Sequence, residues 1–79
     1  MNGPAFRALR NATGLSQAGF AAELGYGGQR SSKTALVSSW ETGRRGIPTQ
    51  TALLAQLVAS RIVMDRESAS TPTGANTNV

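Results

Sequence analysis

The side chains in this sequence that could do chemistry are cations and hydroxyls. Arg30 and Lys33 stand at the start of a helical pattern that carries Thr34, Ala35, Ser38 and Ser39, and Arg44-Arg45 follow its end. An arginine can donate two parallel hydrogen bonds to guanine O6 and N7. The methyls of Ala35 and Thr34 suit the thymine methyl, and serine hydroxyls donate or accept. Serine is otherwise a poor choice for a helix interior. The face Thr34, Ala35, Ser38 and Ser39 is therefore a candidate reader of base edges, short enough for the backbone to approach a groove floor. Arg30 and Lys33 flank it, reaching either bases or phosphates. The plainer alternative is an exposed small-residue face beside a mobile basic loop.

Composition removes most other chemistries. The chain has no cysteine and no histidine. It therefore lacks the thiolate and imidazole metal ligands and the commonest general base. It has four carboxylates, of which Asp65 and Glu67 lie towards the C-terminal end. Gly25-Tyr26-Gly27-Gly28 lacks the preceding strand and the lysine of a phosphate-binding loop. The sequence thus predicts no enzyme, no cofactor and no metal site. The formal net charge is +4, and up to residue 64 seven basic residues face two acids. Such a balance points to a polyanionic partner, nucleic acid ahead of membrane. The N-terminus has no charged region followed by an apolar run. The apolar stretch Ala52–Met64 is broken by Gln56, Ser60 and Arg61 and is shorter than the ~20 residues of a spanning helix. The expected location is cytoplasmic.

The elements that must position these residues read as helices throughout, an all-α chain. Pro4 opens a first helix with Phe6 and Leu9 on one stripe, and Gly14 ends it. Ser16 caps a second helix, Gln17 to Leu24, in which Phe20 and Leu24 share a face and Ala21 packs behind them. Tyr26 to Ser32 reads as a loop. Ser31 or Ser32 caps a third helix, Lys33 to Thr42, with Leu36, Val37 and Trp40 inward. After the basic turn and Pro48, Thr49 caps a longer helix reaching about Arg66. The expected core is Phe6, Leu9, Leu15, Phe20, Leu24, Val37, Trp40, Leu53, Leu54 and Leu57. Residues 1–67 are expected to form the domain and 68–79 a disordered tail, since nothing in that polar stretch could bury a core.

The ordered motifs Gly14-Leu15-Ser16-Gln17, Phe20-Ala21, Leu24-Gly25 and Val37-Ser38-Ser39-Trp40-Glu41-Thr42-Gly43-Arg44, followed by Pro48, resemble the XRE-type helix-turn-helix family of phage-repressor and Cro-like regulators. The likeness covers residues 5 to 60. It implies a small, lambda-repressor-like bundle of four to five helices that binds double-stranded DNA. It also implies that Ser16 and Gln17 anchor one DNA strand, that Arg44 and Arg45 hold the phosphate backbone, and that Arg10 pairs with Glu41. The link from Gly25 to Trp40 is about six residues longer than the usual short turn, which makes the loop a second candidate reader. A two-fold dimer would present two reading helices to an inverted repeat, with Leu57, Ser60, Arg61 and Met64 on the long last helix as its surface. The implied function is transcriptional regulation, with repression the simplest output. The alternatives are an activator, the antitoxin of a toxin–antitoxin pair with a protein partner, and a helical protein-binding adaptor.

Overall fold

The computed structural model describes residues 1–70, with side chains to residue 67. It is a bundle of four helices: α1 (Gly3–Thr13), α2 (Gln17–Glu23), α3 (Arg30–Glu41) and α4 (Thr49–Ser70), with no strand among the described residues. Local signals explain most of the ends. Asn2 caps α1, its Oδ1 accepting the Ala5 N–H at 2.9 Å, and Pro4 sits in the first turn, where no N–H is missed. Gly14 closes α1 at φ 77°, a left-handed conformation that favours glycine. Ser16 caps α2, its Oγ accepting the Gly19 N–H at 3.0 Å.

Several boundaries differ from the sequence reading: α2 and α3 each end one residue earlier, at Glu23 and Glu41, and three further differences are larger or change a cap. α3 begins at Arg30, with Gln29 at its cap position making no side-chain bond. Ser31 and Ser32 therefore lie in the first helical turn and are not the cap. Gly25 and Gly28, at φ 95° and 100°, let the chain reverse within residues 24–29. Arg30, Ser31 and Ser32 thus belong to the first turn of α3. Thr49 is likewise helical and not a cap, and the Pro48 carbonyl accepts the Ala52 N–H at 2.9 Å. α4 continues to Ser70. The rest of the expected tail, 71–79, lies outside the described residues.

The core is built on aromatic rings. Phe6 meets Phe20 and Trp40 edge-on, with centroids 5.4 and 5.5 Å apart, and Tyr26 meets Trp40 in the same manner at 5.5 Å. Such contacts add about 0.5–1.5 kcal/mol each beyond the area they bury. Ala21, Leu24, Val37 and Ala55 complete the buried cluster, while Leu9, Leu15, Leu36, Ile47 and Val58 pack at its margin. Tyr26 also shares a 2.8 Å hydrogen bond with Thr51 through the two hydroxyls. The start of the α2–α3 connection is therefore fastened to the core.

The fourth helix corrects the expected core. Leu53, Leu54 and Leu57 are exposed, at 56%, 40% and 67%, whereas Thr51, Ala52, Ala55 and Ala59 are buried. The aromatic rings already fill the space in front of α4. A face of alanines lets its axis come close, as the separation of packed helices follows the size of the side chains between them. α1 meets α3 more tightly still. A Cβ on Gly3 would stand 2.7 Å from the Trp40 carbonyl oxygen and closer yet to that of Glu41. Only glycine permits this approach, which sets the positive end of the α1 dipole against the negative end of α3.

Candidate nucleic-acid interface

α3 turns two faces to different surroundings. Val37, Trp40 and Glu41 are buried, whereas Arg30, Ser31, Ser32 and Ala35 are exposed. Ser32, Ala35, Leu36 and Ser39 fall at helical spacing and line an open hollow together with Arg45. Ala35 and Ser39 thus stand together with Arg45. Ser38 is half-buried, and Lys33 and Thr34 are half-buried on the flanks of the outward face. Ser32 and Leu36 were absent from the residues singled out as base readers, though their spacing from Ala35 and Ser39 was a usable signal. Ser39 donates its hydroxyl to the Leu36 carbonyl at 2.6 Å and Thr42 donates to Ser38 at 2.8 Å. The Ser39 oxygen remains available as an acceptor.

A buried carboxylate holds the end of α3. The Glu41 side chain is 0% exposed and accepts from Arg10 Nε at 2.6 Å, Arg10 Nη2 at 3.3 Å, Gln17 Nε2 at 3.1 Å and Arg7 Nε at 3.4 Å. Arg10 also donates to the Leu15 carbonyl at 3.0 Å. Burial alone would raise the Glu41 carboxyl. The hydrogen bonds from Arg10, Gln17 and Arg7, with the charge of Arg10, outweigh it and hold the group below its ordinary value. Arg7 joins this knot because it lies one turn before Arg10 on the same face of α1. Gln17 points its amide inward to Glu41, so the start of α2 is drawn to the end of α3. Ser16 keeps its oxygen on its own helix as a cap.

The eight basic residues divide into two sets. Arg7 and Arg10 serve Glu41, Arg61 Nη2 pairs with Glu23 at 2.9 Å, and Arg66 Nη2 donates to the Ala12 carbonyl at 2.7 Å. Arg30, Lys33, Arg44 and Arg45 have no carboxylate within ion-pair distance among the described residues. All four lie on α3 or in the turn after it. Of the expected dimer residues, Leu57, Ser60 and Met64 are exposed on one side of α4, whereas Arg61 is engaged with Glu23 of its own chain.

Comparison with family models, with curated proteins and with solved structures finds no match for this chain. Among the described residues, no group of three His, Cys, Asp or Glu could hold a metal ion, and no helix is long and apolar enough to cross a membrane.

Proposed function

We propose that this protein is a sequence-specific, double-stranded DNA-binding regulator of transcription that uses α2 and α3 as a helix-turn-helix with an enlarged turn. The observation that carries the reading is the division of the cations. Four are engaged within the chain, and the four without a carboxylate partner lie on α3 and the turn that follows it. Cations placed at random on a solvated surface would not gather on one element. Between them lies an outward face of small hydroxyl and methyl side chains, which allows a helix to enter the major groove closely.

In this reading Arg30, Lys33, Thr34, Ala35, Ser38 and Ser39 supply the base contacts, joined by Ser32 on the same face. Arg44 and Arg45 supply phosphate contacts, which fix position without reading sequence. Ser16 and Gln17 act there through the backbone N–H groups at the start of α2, since their side chains are engaged within the fold. A two-fold dimer sets two such helices about 34 Å apart on an inverted repeat. Occupation of a promoter by that dimer excludes polymerase, and repression of its own gene or a neighbouring one is the simplest consequence.

The test is a mobility-shift titration with duplex from the region flanking the gene, against an unrelated competitor, at two salt concentrations. The reading expects competitor-resistant binding whose logarithm falls linearly with log salt, by about 0.9 per phosphate neutralised. Equal affinity for both duplexes, or no retardation at low salt, overturns it.

A further inference from the structure

Arg44 and Arg45 are neighbours in the chain with different surroundings. The Arg45 main-chain N–H donates to the Ser39 carbonyl at 3.1 Å, which ties the turn back onto the last part of α3. Arg45 borders the hollow formed by Ser32, Ala35, Leu36 and Ser39, and Arg44 lines no part of it. Arg45 is the one charged residue on that lining. Ser39 commits its hydroxyl proton to the Leu36 carbonyl at 2.6 Å and keeps only lone pairs for a ligand. Both arginines are exposed, and neither has a carboxylate within ion-pair distance among the described residues.

We propose that Arg45 reads sequence, donating both arms of its guanidinium to O6 and N7 of one guanine, and that Arg44 alone keeps the phosphate role of the pair. The inference deepens the DNA-binding reading and rests on it. A helix in the major groove meets phosphates on its flanks and base edges in front. Ala35 and Ser39 belong to the front in that reading, and Arg45 stands with them. Ser32 and Ser39 are separated by seven positions, so the hollow runs about 10 Å along α3. That is the length of about three base-pair steps. Ala35 and Leu36 give it an apolar wall, against which the methylenes of an arginine can lie while the charged head reaches polar atoms. The choice of base follows from the donors. A guanidinium has donors only. Guanine sets two acceptors side by side in the major groove, whereas adenine and cytosine offer a donor there and thymine a methyl. One guanine therefore satisfies the fork in full. Tying the turn to Ser39 fixes where the fork starts from, so less freedom is lost when the bonds form.

The test compares the unaltered chain with Arg44→Ala and Arg45→Ala, both of which should keep the thermal melt because the two positions are exposed. Each protein selects duplexes from a randomised pool, and the selected sites are sequenced. The sites chosen by the unaltered chain should carry a guanine that Arg44→Ala still selects and Arg45→Ala does not. On such a site, changing that guanine to adenine should weaken the unaltered chain roughly tenfold and leave Arg45→Ala nearly unmoved. Arg44→Ala should instead lose affinity evenly over all duplexes, with a salt dependence flatter by about 0.9 per protomer. A second arm needs no altered protein. Replacing the guanines one at a time by 7-deazaguanine removes the N7 acceptor and keeps the pairing, and one replacement should weaken the unaltered chain several-fold. An Arg45→Ala protein that keeps every base preference while losing affinity evenly overturns the assignment and returns Arg45 to the phosphates. An unaltered chain indifferent to 7-deazaguanine at every guanine overturns it as well. Both of those results leave the DNA-binding reading standing. An unaltered chain that enriches no sequence overturns that reading, and the role of Arg45 with it.

Discussion

The inward and outward sides of α3 handle positive charge in opposite ways. At the Glu41 knot, arginines from α1 converge on a buried carboxylate, and no buried side-chain polar atom among the described residues lacks a partner. On the outward face and the following turn, cations stand without acidic neighbours. A buried charge pair is strongly destabilising to break, because its abandoned partner stays desolvated. An exposed cation contributes little to stability and is free to meet a polyanion. The same residue type therefore holds the fold in one place and stands without an acidic partner in the other.

Substitutions can break that contrast. Arg10→Ala should have the largest effect, about 3 kcal/mol of lost stability, because Arg10 is 15% exposed and makes the shortest bond to a fully buried carboxylate. Urea unfolding followed by Trp40 fluorescence measures it, and a loss below about 1 kcal/mol would place the knot among weak surface pairs. Gly3→Ala should cost about 2 kcal/mol by overpacking against the α3 carbonyls, read from the same unfolding curve. Arg44→Ala with Arg45→Ala should leave the melt unchanged and weaken duplex binding roughly tenfold. It should also flatten the salt dependence by about 0.9 per lost phosphate contact in each protomer. A shifted melt would mean that these arginines are structural after all. The smallest effect is expected from Arg61→Ala, below about 1 kcal/mol, because its bond to Glu23 is exposed at both ends.

Acid should discriminate in the same way. The Glu41 carboxyl is lowered in the folded chain, so its stabilising contribution is complete above the ordinary carboxylate range and is lost as pH falls through the folded value. Thermal melts between pH 7 and pH 3 should decline at the acid end in the unaltered chain. The decline should be weaker in Glu41→Gln.

The helix ends were legible where a single residue determines them. Pro4, Gly14 and Ser16 mark their turns by backbone geometry or by one hydrogen bond, and the inward side of α3 follows from Val37 and Trp40. α4 was misread because it carries two stripes of helical period on opposite sides. Its leucines are the more apolar, so hydrophobicity alone selects Leu53, Leu54 and Leu57. The choice is settled by the volume left between the aromatic rings, which no local pattern contains. The start of α3 was misplaced for a related reason. Serine suggested a cap, whereas the anchoring of Tyr26 on Trp40 and Thr51 and the two left-handed glycines complete the reversal earlier. On the outward face, periodicity already grouped Ala35, Ser38 and Ser39. The proximity of Arg45 depends on how the chain leaves α3, which no local sequence pattern determines.

The glycine contact between α1 and α3 also bears on how the protein should be handled. Because Gly3 rests on the carbonyls of Trp40 and Glu41, the amino terminus emerges beside the last turn of α3, a few residues from Arg44 and Arg45. A purification tag or fluorescent fusion attached before Met1 would crowd that turn. Binding should therefore be measured on the chain with nothing attached before Met1.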